Sequence, residues 1–164
     1  MASTKAANAV PSEPDAHING IPKVNPDYTC FKVDLAESKI HRWGIYAGEF
    51  IPAGRKVIEY TGERISRRET KRRSEASDLI YLFTLDAYWT LDGSVGGSGA
   101  EYINHSCDPN LVTRIIKGHI IYMSQRDIQA GEELTVDYRF DKKVERVACS
   151  CGTASCRGTI NLKE

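Results

Sequence analysis

Residues 102–110 read Tyr-Ile-Asn-His-Ser-Cys-Asp-Pro-Asn and follow a glycine-rich stretch at 93–100, Gly-Ser-Val-Gly-Gly-Ser-Gly-Ala. Asp108-Pro109-Asn110 predicts a turn, and the glycines allow the backbone to approach a ligand closely because they lack Cβ. Asn-His-Ser-Cys also suggests a serine or thiol nucleophile. A nucleophile needs a base at hydrogen-bond distance and a third, orienting group, and sequence neighbours seldom have that geometry. The residues alone therefore indicate a polar loop near a ligand, or a purely structural turn.

The cysteines form a second pattern near the C-terminus. Three of the five lie in Cys149-Ser-Cys151-Gly-Thr-Ala-Ser-Cys156, and the others are Cys30 and Cys107. Three thiolates this close in sequence can converge on one Zn²⁺, but a closed structural site takes four ligands. Cys107 and Cys30 are both candidates for the fourth. The alternative is three unligated thiols, although free cysteines are usually buried and dispersed.

Short β-like runs fill most of the chain after Thr29, separated by Gly, Pro and Asp. One helix is predicted from about Ser66 to Ala76, with Ser66 as its N-cap and Glu69 at the capping-box spacing. Many short strands with one charged helix favour a mostly β domain of several small sheets. The predicted strands are 30–34, 44–47, 56–60, 80–85, 111–116, 119–124 and 133–138.

Composition excludes some classes of function. The 164 residues are 41% hydrophobic and 27% charged with zero formal net charge, so overall charge favours no particular partner. Residues 64–73, RISRRETKRR, carry six Arg or Lys and one Glu, and are either the solvated face of a helix or a contact for DNA or an acidic partner. No apolar run approaches the ~20 residues that span a bilayer. Residues 1–26 lack periodicity and a secretory h-region, which predicts a disordered tail and a reducing compartment.

The motifs in their order resemble those of SET-domain lysine methyltransferases with a post-SET segment. The resemblance covers about residues 29–162 and is specific because several motifs occur in one order and end in the cysteine pattern. The motifs are His41-Arg42-Trp43-Gly44, Glu59-Tyr60-Thr61-Gly62-Glu63, Tyr81-Leu-Phe-Thr-Leu-Asp86, YINHSCDPN (102–110), GEELTVDY (131–138) and C-x-C-x4-C-R-G (149–158).

The resemblance implies a SET-domain fold with three parts. They are a tail over 1–26, a SET domain over 27–142 and a zinc-binding post-SET segment over 143–164. The fold is mostly β, with several small sheets. In the family, the chain after GEELTVDY threads beneath a loop near NHSC and forms a C-terminal pseudo-knot, a topology that is rare in general.

The resemblance also implies site residues and two cofactors, S-adenosylmethionine (SAM) and structural zinc. Tyr138 matches the catalytic tyrosine, and Tyr81 matches a second tyrosine that lines the lysine channel. Cys30 is then the spare cysteine, expected in the core. The implied SAM-binding residues are Arg42, Trp43, Gly44, Tyr81, Asn104, His105 and Tyr138, and the implied zinc ligands are Cys107, Cys149, Cys151 and Cys156.

Two positions depart from the family pattern. Glu101 stands where many members have an Arg that helps to bind SAM, and Val136 stands where Phe or Tyr is common and influences the number of methyl groups added. By volume, Val136 predicts a product beyond monomethyl-lysine, unless Tyr122 closes the space.

The implied function is methylation of a protein lysine, most readily on a histone tail. The alternatives are a non-histone substrate and a catalytically weak module that binds lysine-containing tails. A monomer without membrane contact is expected, located in the nucleus if the host is eukaryotic and otherwise in the cytoplasm, with a nucleosomal DNA contact through 64–73.

Overall fold

The computed structural model describes residues 22–76 and 81–163. It contains ten strands, one α-helix and two 3₁₀ helices within these ranges, Pro26–Tyr28 and Ala100–Tyr102. No helix in the described part of the chain is long and apolar enough to span a membrane. The elements are β1 (Val33–Glu37), β2 (Trp43–Ala47), β3 (Lys56–Tyr60), β4 (Glu63–Ser66), α1 (Arg67–Ala76), β5 (Leu82–Thr84), β6 (Trp89–Asp92), β7 (Asn104–His105), β8 (Leu111–Ile116), β9 (His119–Ser124) and β10 (Thr135–Val136).

The strands form four small sheets across the described residues, which confirms the predicted class. Their orders are β1-β2, β3-β9-β8, β4-β6-β5 and β7-β10, and only the last pair is parallel. Short connections join three of the antiparallel pairs, β1-β2, β5-β6 and β8-β9. Between β8 and β9, for example, Lys117 and Gly118 both have positive φ, 50° and 83°. A two-residue hairpin loop with this backbone matches the twist of the strands it joins.

The predicted strands at 56–60, 111–116 and 119–124 have the predicted bounds. Strand β4, Glu-Arg-Ile-Ser, was not predicted, because Ile65 is its only buried side chain and the four residues show no β-like pattern. The predicted strand at 133–138 was too long, since β10 covers only Thr135–Val136. Just before it, Leu134 N donates to Ile45 O (2.7 Å), and just after it Arg139 turns the chain with φ 51°.

Helix α1 begins where the sequence predicted. The Ser66 Oγ accepts the Glu69 N–H at 3.3 Å, which satisfies one of the amides that a helix start leaves without a partner. The Glu69 carboxylate binds Arg72 and Arg73 at 2.6 and 2.8 Å rather than closing the capping box. Arg73 also reaches Asp92 at 2.6 Å, so the helix is anchored to β6.

One hydrophobic core lies where β2, β3 and β9 meet the segments that carry the two main motifs. Its fully buried members include Ile45, Ile58, Ile103, Ile120 and Leu134, each no more than 1% exposed. Ile103 belongs to YINHSCDPN and Leu134 to GEELTVDY. The core therefore fixes both motifs against the same sheets.

The parallel pair β7-β10 joins these two motifs directly. Asn104 is in register with Thr135, and His105 with Val136. Asn110 reinforces the pair, because its Nδ2 donates to Glu133 O at 2.8 Å and its Oδ1 accepts Thr135 N–H at 2.9 Å. The GEELTVDY segment thus lies against the NHSC segment, and Asn110 does more than end a turn.

The expected N-terminal tail falls mostly outside the described residues. Of residues 22–26, Val24 packs against the core and Asn25 N donates to Ser98 O at 2.8 Å. The domain bounds at 26 and 142 remain predictions.

Candidate active site and metal centre

The loop at 42–44 lies directly beside β7. The Asn104 Nδ2 donates to Trp43 O at 2.8 Å and to His41 O at 3.3 Å. Arg42 has φ 41°, so the backbone turns sharply at this point. The structure therefore brings together two segments predicted to hold the cofactor, from positions 61 residues apart. Since Asn104 uses Nδ2 for these bonds, a ligand amine would use Oδ1.

Tyr138 follows β10 and is held by the NHSC segment. Its Oη donates to Ile103 O at 2.8 Å, and its backbone N–H donates to His105 Nδ1 at 3.2 Å. The ring stacks on Phe140 with centroids 5.9 Å apart. Burial of the hydroxyl, and secondarily the charge of Glu133, raises the pKa of Tyr138. The hydroxyl is therefore protonated at neutral pH, and in this state it can orient an amine but cannot remove a proton from it.

Aromatic side chains continue from Tyr138 toward Tyr81. The Tyr81 ring meets Tyr102 edge-on at 5.8 Å, and its carbonyl accepts the Tyr60 hydroxyl at 2.6 Å. Tyr60 in turn meets Tyr122 at 6.3 Å, and burial raises the pKa of both phenols. From the sequence, Tyr122 was considered only as a residue able to close the space beside Val136. In the structure it is 2% exposed and sits in this aromatic group.

Glu101 is buried in the glycine-rich loop, with 9% exposure. Its Oε2 accepts the Gly99 N–H at 2.8 Å, and a Cβ on Gly97 would overlap Oε1. Burial raises the pKa of Glu101 to about 7, although the Gly99 N–H and its own amide oppose the shift. Where many family members have Arg, this chain uses a carboxylate to hold the loop.

Glu101→Gln is expected to change the pH dependence of stability. The folded protein binds the Glu101 proton more tightly than the unfolded chain, whose pKa is near 4.5, so this carboxyl destabilises the fold as pH rises through 7. Glutamine keeps an acceptor for Gly99 and does not ionise. The stability advantage of the variant should grow by about 1–3 kcal/mol between pH 5 and pH 8, or several degrees in Tm.

Thermal melts of both proteins across this pH range measure the effect. Glu75→Gln, at an exposed position near the end of α1, is the matched control and should follow the wild type. Parallel pH profiles for Glu101→Gln and the wild type would contradict the assignment.

The four predicted zinc ligands lie together. The Sγ atoms of Cys107, Cys149, Cys151 and Cys156 are all within 4.8 Å of one another, and those of Cys107 and Cys149 are 3.7 Å apart. Tetrahedral Zn²⁺ with bonds of ~2.3 Å requires sulfur atoms ~3.8 Å apart. The thiol set therefore fits zinc without large rearrangement.

Backbone amides stabilise charge on the sulfur atoms. Arg157 N donates to Cys107 Sγ at 3.3 Å, Cys151 N to Cys149 Sγ at 3.4 Å and Gly158 N to Cys156 Sγ at 3.3 Å. Such bonds from outside the ligand shell favour thiolates and hold them in place. They are what a thiolate–metal site needs.

Cys30 lies apart from this cluster and is exposed, so the expectation of a core thiol was wrong. The backbone of Cys30 borders β3, where its N–H donates to Val57 O at 2.9 Å, and its side chain lies on the outside. Of the two candidates for the fourth zinc ligand, the structure therefore favours Cys107.

Arg157 connects the zinc segment to the active-site tyrosine. Its two terminal nitrogens bind the Asp137 carboxylate at 2.7 and 2.9 Å, a bidentate pair. Asp137 precedes Tyr138 and lies 3.5 Å from His105 Nδ1. Burial lowers the pKa of His105, so its Nδ1 can accept the Tyr138 N–H. Asp137 and Arg157 were not predicted, because their pairing depends on how two distant segments pack.

An open surface cavity of about 350 Å³ lies where residues 139–142 meet residues 162–163. Phe140 and Asn161 pair as a parallel bridge beside it. The 42–44 loop and Asn104 are not part of its lining. The lining residues are Arg139, Asp141, Lys142, Leu162 and Lys163.

The basic stretch 64–73 is partly neutralised within the fold. Arg73 is bound by three carboxylates, and Arg64 lies over the Trp89 ring at 4.6 Å. Arg68 and Lys71 are exposed on α1. The structure therefore leaves a smaller basic surface than the sequence suggested.

Comparisons with known proteins place these features in a family. The model of the family described as SET domain matches residues 42–139. Proteins named histone-lysine N-methyltransferase, H3 lysine-4 specific, are 40% identical over 141 residues in Chaetomium globosum and Saccharomyces cerevisiae, and 41% over 142 residues in Candida albicans. Each alignment covers 79% of this chain but only 13–14% of the relative, so the chain spans about a seventh of their length.

One of the solved structures that share the fold contains SAH. It is described as KRYPTONITE in complex with mCHG DNA and SAH, with a TM-score of 0.68 and 28% sequence identity. The match covers 80% of this chain and 29% of that chain.

Proposed function

The chain belongs to the SET-domain family, and from this premise we propose that it is a SAM-dependent lysine methyltransferase acting on the histone H3 tail. The meeting of the 42–44 loop with Asn104, next to a Tyr138 hydroxyl fixed on Ile103 O, carries the proposal. The names of the relatives point to lysine 4 of H3 as the target. We extend the proposal to a nuclear, monomeric protein.

The cofactor residues form one continuous surface in this proposal. The loop and β7 hold the methionine and adenine ends of SAM, and the aromatic group around Tyr81 and Tyr138 forms the lysine channel. Zinc bound through the four clustered cysteines orders the post-SET segment, whose residues complete the SAM site in this proposal. The assigned SAM contacts are Arg42, Trp43, Gly44, Tyr81, Asn104, His105 and Tyr138.

The chemistry needs a neutral lysine amine in line with a methyl group. Free lysine titrates near 10.4, so deprotonation at pH ~7.4 costs about 4 kcal/mol. A channel walled by buried Tyr60 and Tyr122 disfavours the ammonium form. Bound SAM supplies the methyl on a sulfonium, which makes it a strong electrophile.

Tyr138 then aligns the amine. Its hydroxyl proton is donated to Ile103 O at 2.8 Å, so the oxygen presents lone pairs to an N–H of the substrate. Correct alignment of reacting atoms can contribute several kcal/mol.

Helix α1 supports the proposed nucleosomal contact through 64–73. Arg68 and Lys71 are exposed on one side of it, and Arg72 is exposed too, although its Nε and Nη2 both bind Glu69. Surface cations of this kind bind DNA phosphates without sequence preference.

Incubation with labelled SAM and an H3 tail peptide tests the function. We expect label on the peptide and none when lysine 4 is replaced by Arg. SAM binding without transfer to any histone or other protein would instead favour a lysine-tail-binding module.

Mass spectrometry over time gives the number of methyl groups added to the lysine. Wild type should pass beyond monomethyl-lysine and Val136→Tyr should stop there, because the added phenol fills space beside the channel. If the wild type stops at monomethyl-lysine with excess SAM, the volume argument is wrong, and another residue such as Tyr122 already closes the space beside Val136.

A further inference from the structure

Glu133 lies beside the 42–44 loop and contacts three segments that surround this loop. Its Oε1 accepts the Ser38 hydroxyl at 2.7 Å and the Asn104 Nδ2 at 2.9 Å. Its Oε2 accepts the Tyr46 hydroxyl at 3.3 Å. These three partners come from the end of β1, from β7 and from β2.

The loop itself is shaped around this carboxylate. A Cβ on Gly44 would lie 2.5 Å from Glu133 Oε1, so glycine is needed there for the carboxylate to approach. The backbone of Glu133 is fixed as well, because its carbonyl accepts Asn110 Nδ2 at 2.8 Å and the segment pairs with Tyr46 as an antiparallel bridge. The side chain is therefore held in place from both sides.

We propose that Glu133 is a positioning residue for SAM binding. Glu133 Oε1 and Trp43 O both accept hydrogen bonds from Asn104 Nδ2. These bonds orient the Asn104 amide so that its Oδ1 faces the ligand amine. It also fixes the 42–44 loop through Ser38 and Gly44. This role rests on the proposed SAM-binding function, and it requires the shape and reach of the side chain rather than its charge.

Two conservative variants separate shape from charge. In Glu133→Gln, Oε1 still accepts from Ser38 and Asn104, and Nε2 can donate to the Tyr46 hydroxyl, which keeps its bond to Glu37 O at 3.0 Å. In Glu133→Asp, the charge stays but the carboxylate is shorter by one methylene and loses these partners. Calorimetry should show SAM affinity within about threefold of wild type for Gln, and at least about tenfold weaker for Asp.

Glu132→Ala is the matched control, since Glu132 binds Arg126 at 2.7 Å on the surface and should not affect SAM. For Glu133→Asp, the KM for SAM should rise while kcat at saturating SAM stays within about threefold, because Tyr138 is untouched. If Glu133→Asp does not fold, Ser38→Ala replaces it. Loss of the Ser38 hydroxyl removes its bond to Glu133 and the bond from Ile40 N, and should weaken SAM binding severalfold.

The outcomes distinguish the two proposals. Wild-type protein that binds no SAM would reject the proposed function itself. Wild-type binding with an unchanged Glu133→Asp, or with Glu133→Gln as weak as Glu133→Asp, would overturn only the positioning role of Glu133.

Discussion

Tyr138→Phe is expected to reduce methyl transfer by at least about 100-fold while leaving SAM affinity within about threefold of wild type. Removal of Oη deletes the atom that orients the amine, whereas the ring stays stacked on Phe140 and the backbone N–H stays on His105 Nδ1. The effect should therefore fall on kcat. Burial raises the pKa of Tyr138, so its phenol stays protonated across the neutral range and the wild-type rate should show no tyrosinate ionisation there.

Single-turnover assays with an H3 peptide, alongside calorimetry with SAM, separate transfer from binding. Tyr28→Phe removes a hydroxyl from a partly exposed tyrosine on the Pro26–Tyr28 helix and serves as the control. Near-normal turnover in Tyr138→Phe would remove Tyr138 from the catalytic role.

Cys107→Ser is expected to lose the zinc and to lower the free energy of unfolding by about 4 kcal/mol. Serine is a poor zinc ligand, and the remaining three thiols come from one short segment that has little core of its own. Release of this segment also frees Arg157 from Asp137, so Tyr138 loses a support and SAM binding weakens.

Metal analysis of protein purified without chelator should give one zinc per chain for the wild type. Cys30→Ser is the matched control, since Cys30 is exposed and outside the cluster, and should keep the metal and the Tm. Zinc-free wild type, or loss of zinc in Cys30→Ser with retention in Cys107→Ser, would contradict the assignment.

The sequence predicted the fold class and the cysteine set because both depend on local patterns. Short β-like runs bounded by turn residues identified β3, β8 and β9 with their bounds, and the C-x-C-x4-C spacing identified three thiols. Cys107 followed from the family resemblance. These signals lie within a few residues of one another and need no knowledge of how distant segments pack.

The positioning residues could not be predicted in this way. Glu133 and Asp137 lie within GEELTVDY and Arg157 within C-x-C-x4-C-R-G, but the motifs do not indicate which partners these charged side chains bind. Their roles arise from partners 95 residues away, for Ser38 and Glu133, and 20 residues away, for Asp137 and Arg157. The exposure of Cys30 was missed for a related reason. Cys30 pairs with β3 through its backbone, and the packing of that sheet decides whether the Cys30 side chain faces the core or the solvent.

The parallel pairing of β7 with β10 also has a consequence for synthesis on the ribosome. Segments that close the site span Arg42 to Asn161, so no partial chain ending before Asn161 can complete it. At about 5–20 residues per second, translation of that span takes roughly 6–24 s. During this interval Leu134 and Val136, or the surfaces they will cover, are exposed to water. Nascent chains are therefore expected to need protection from aggregation until the last strand pair forms, and cofactor binding can begin only afterwards.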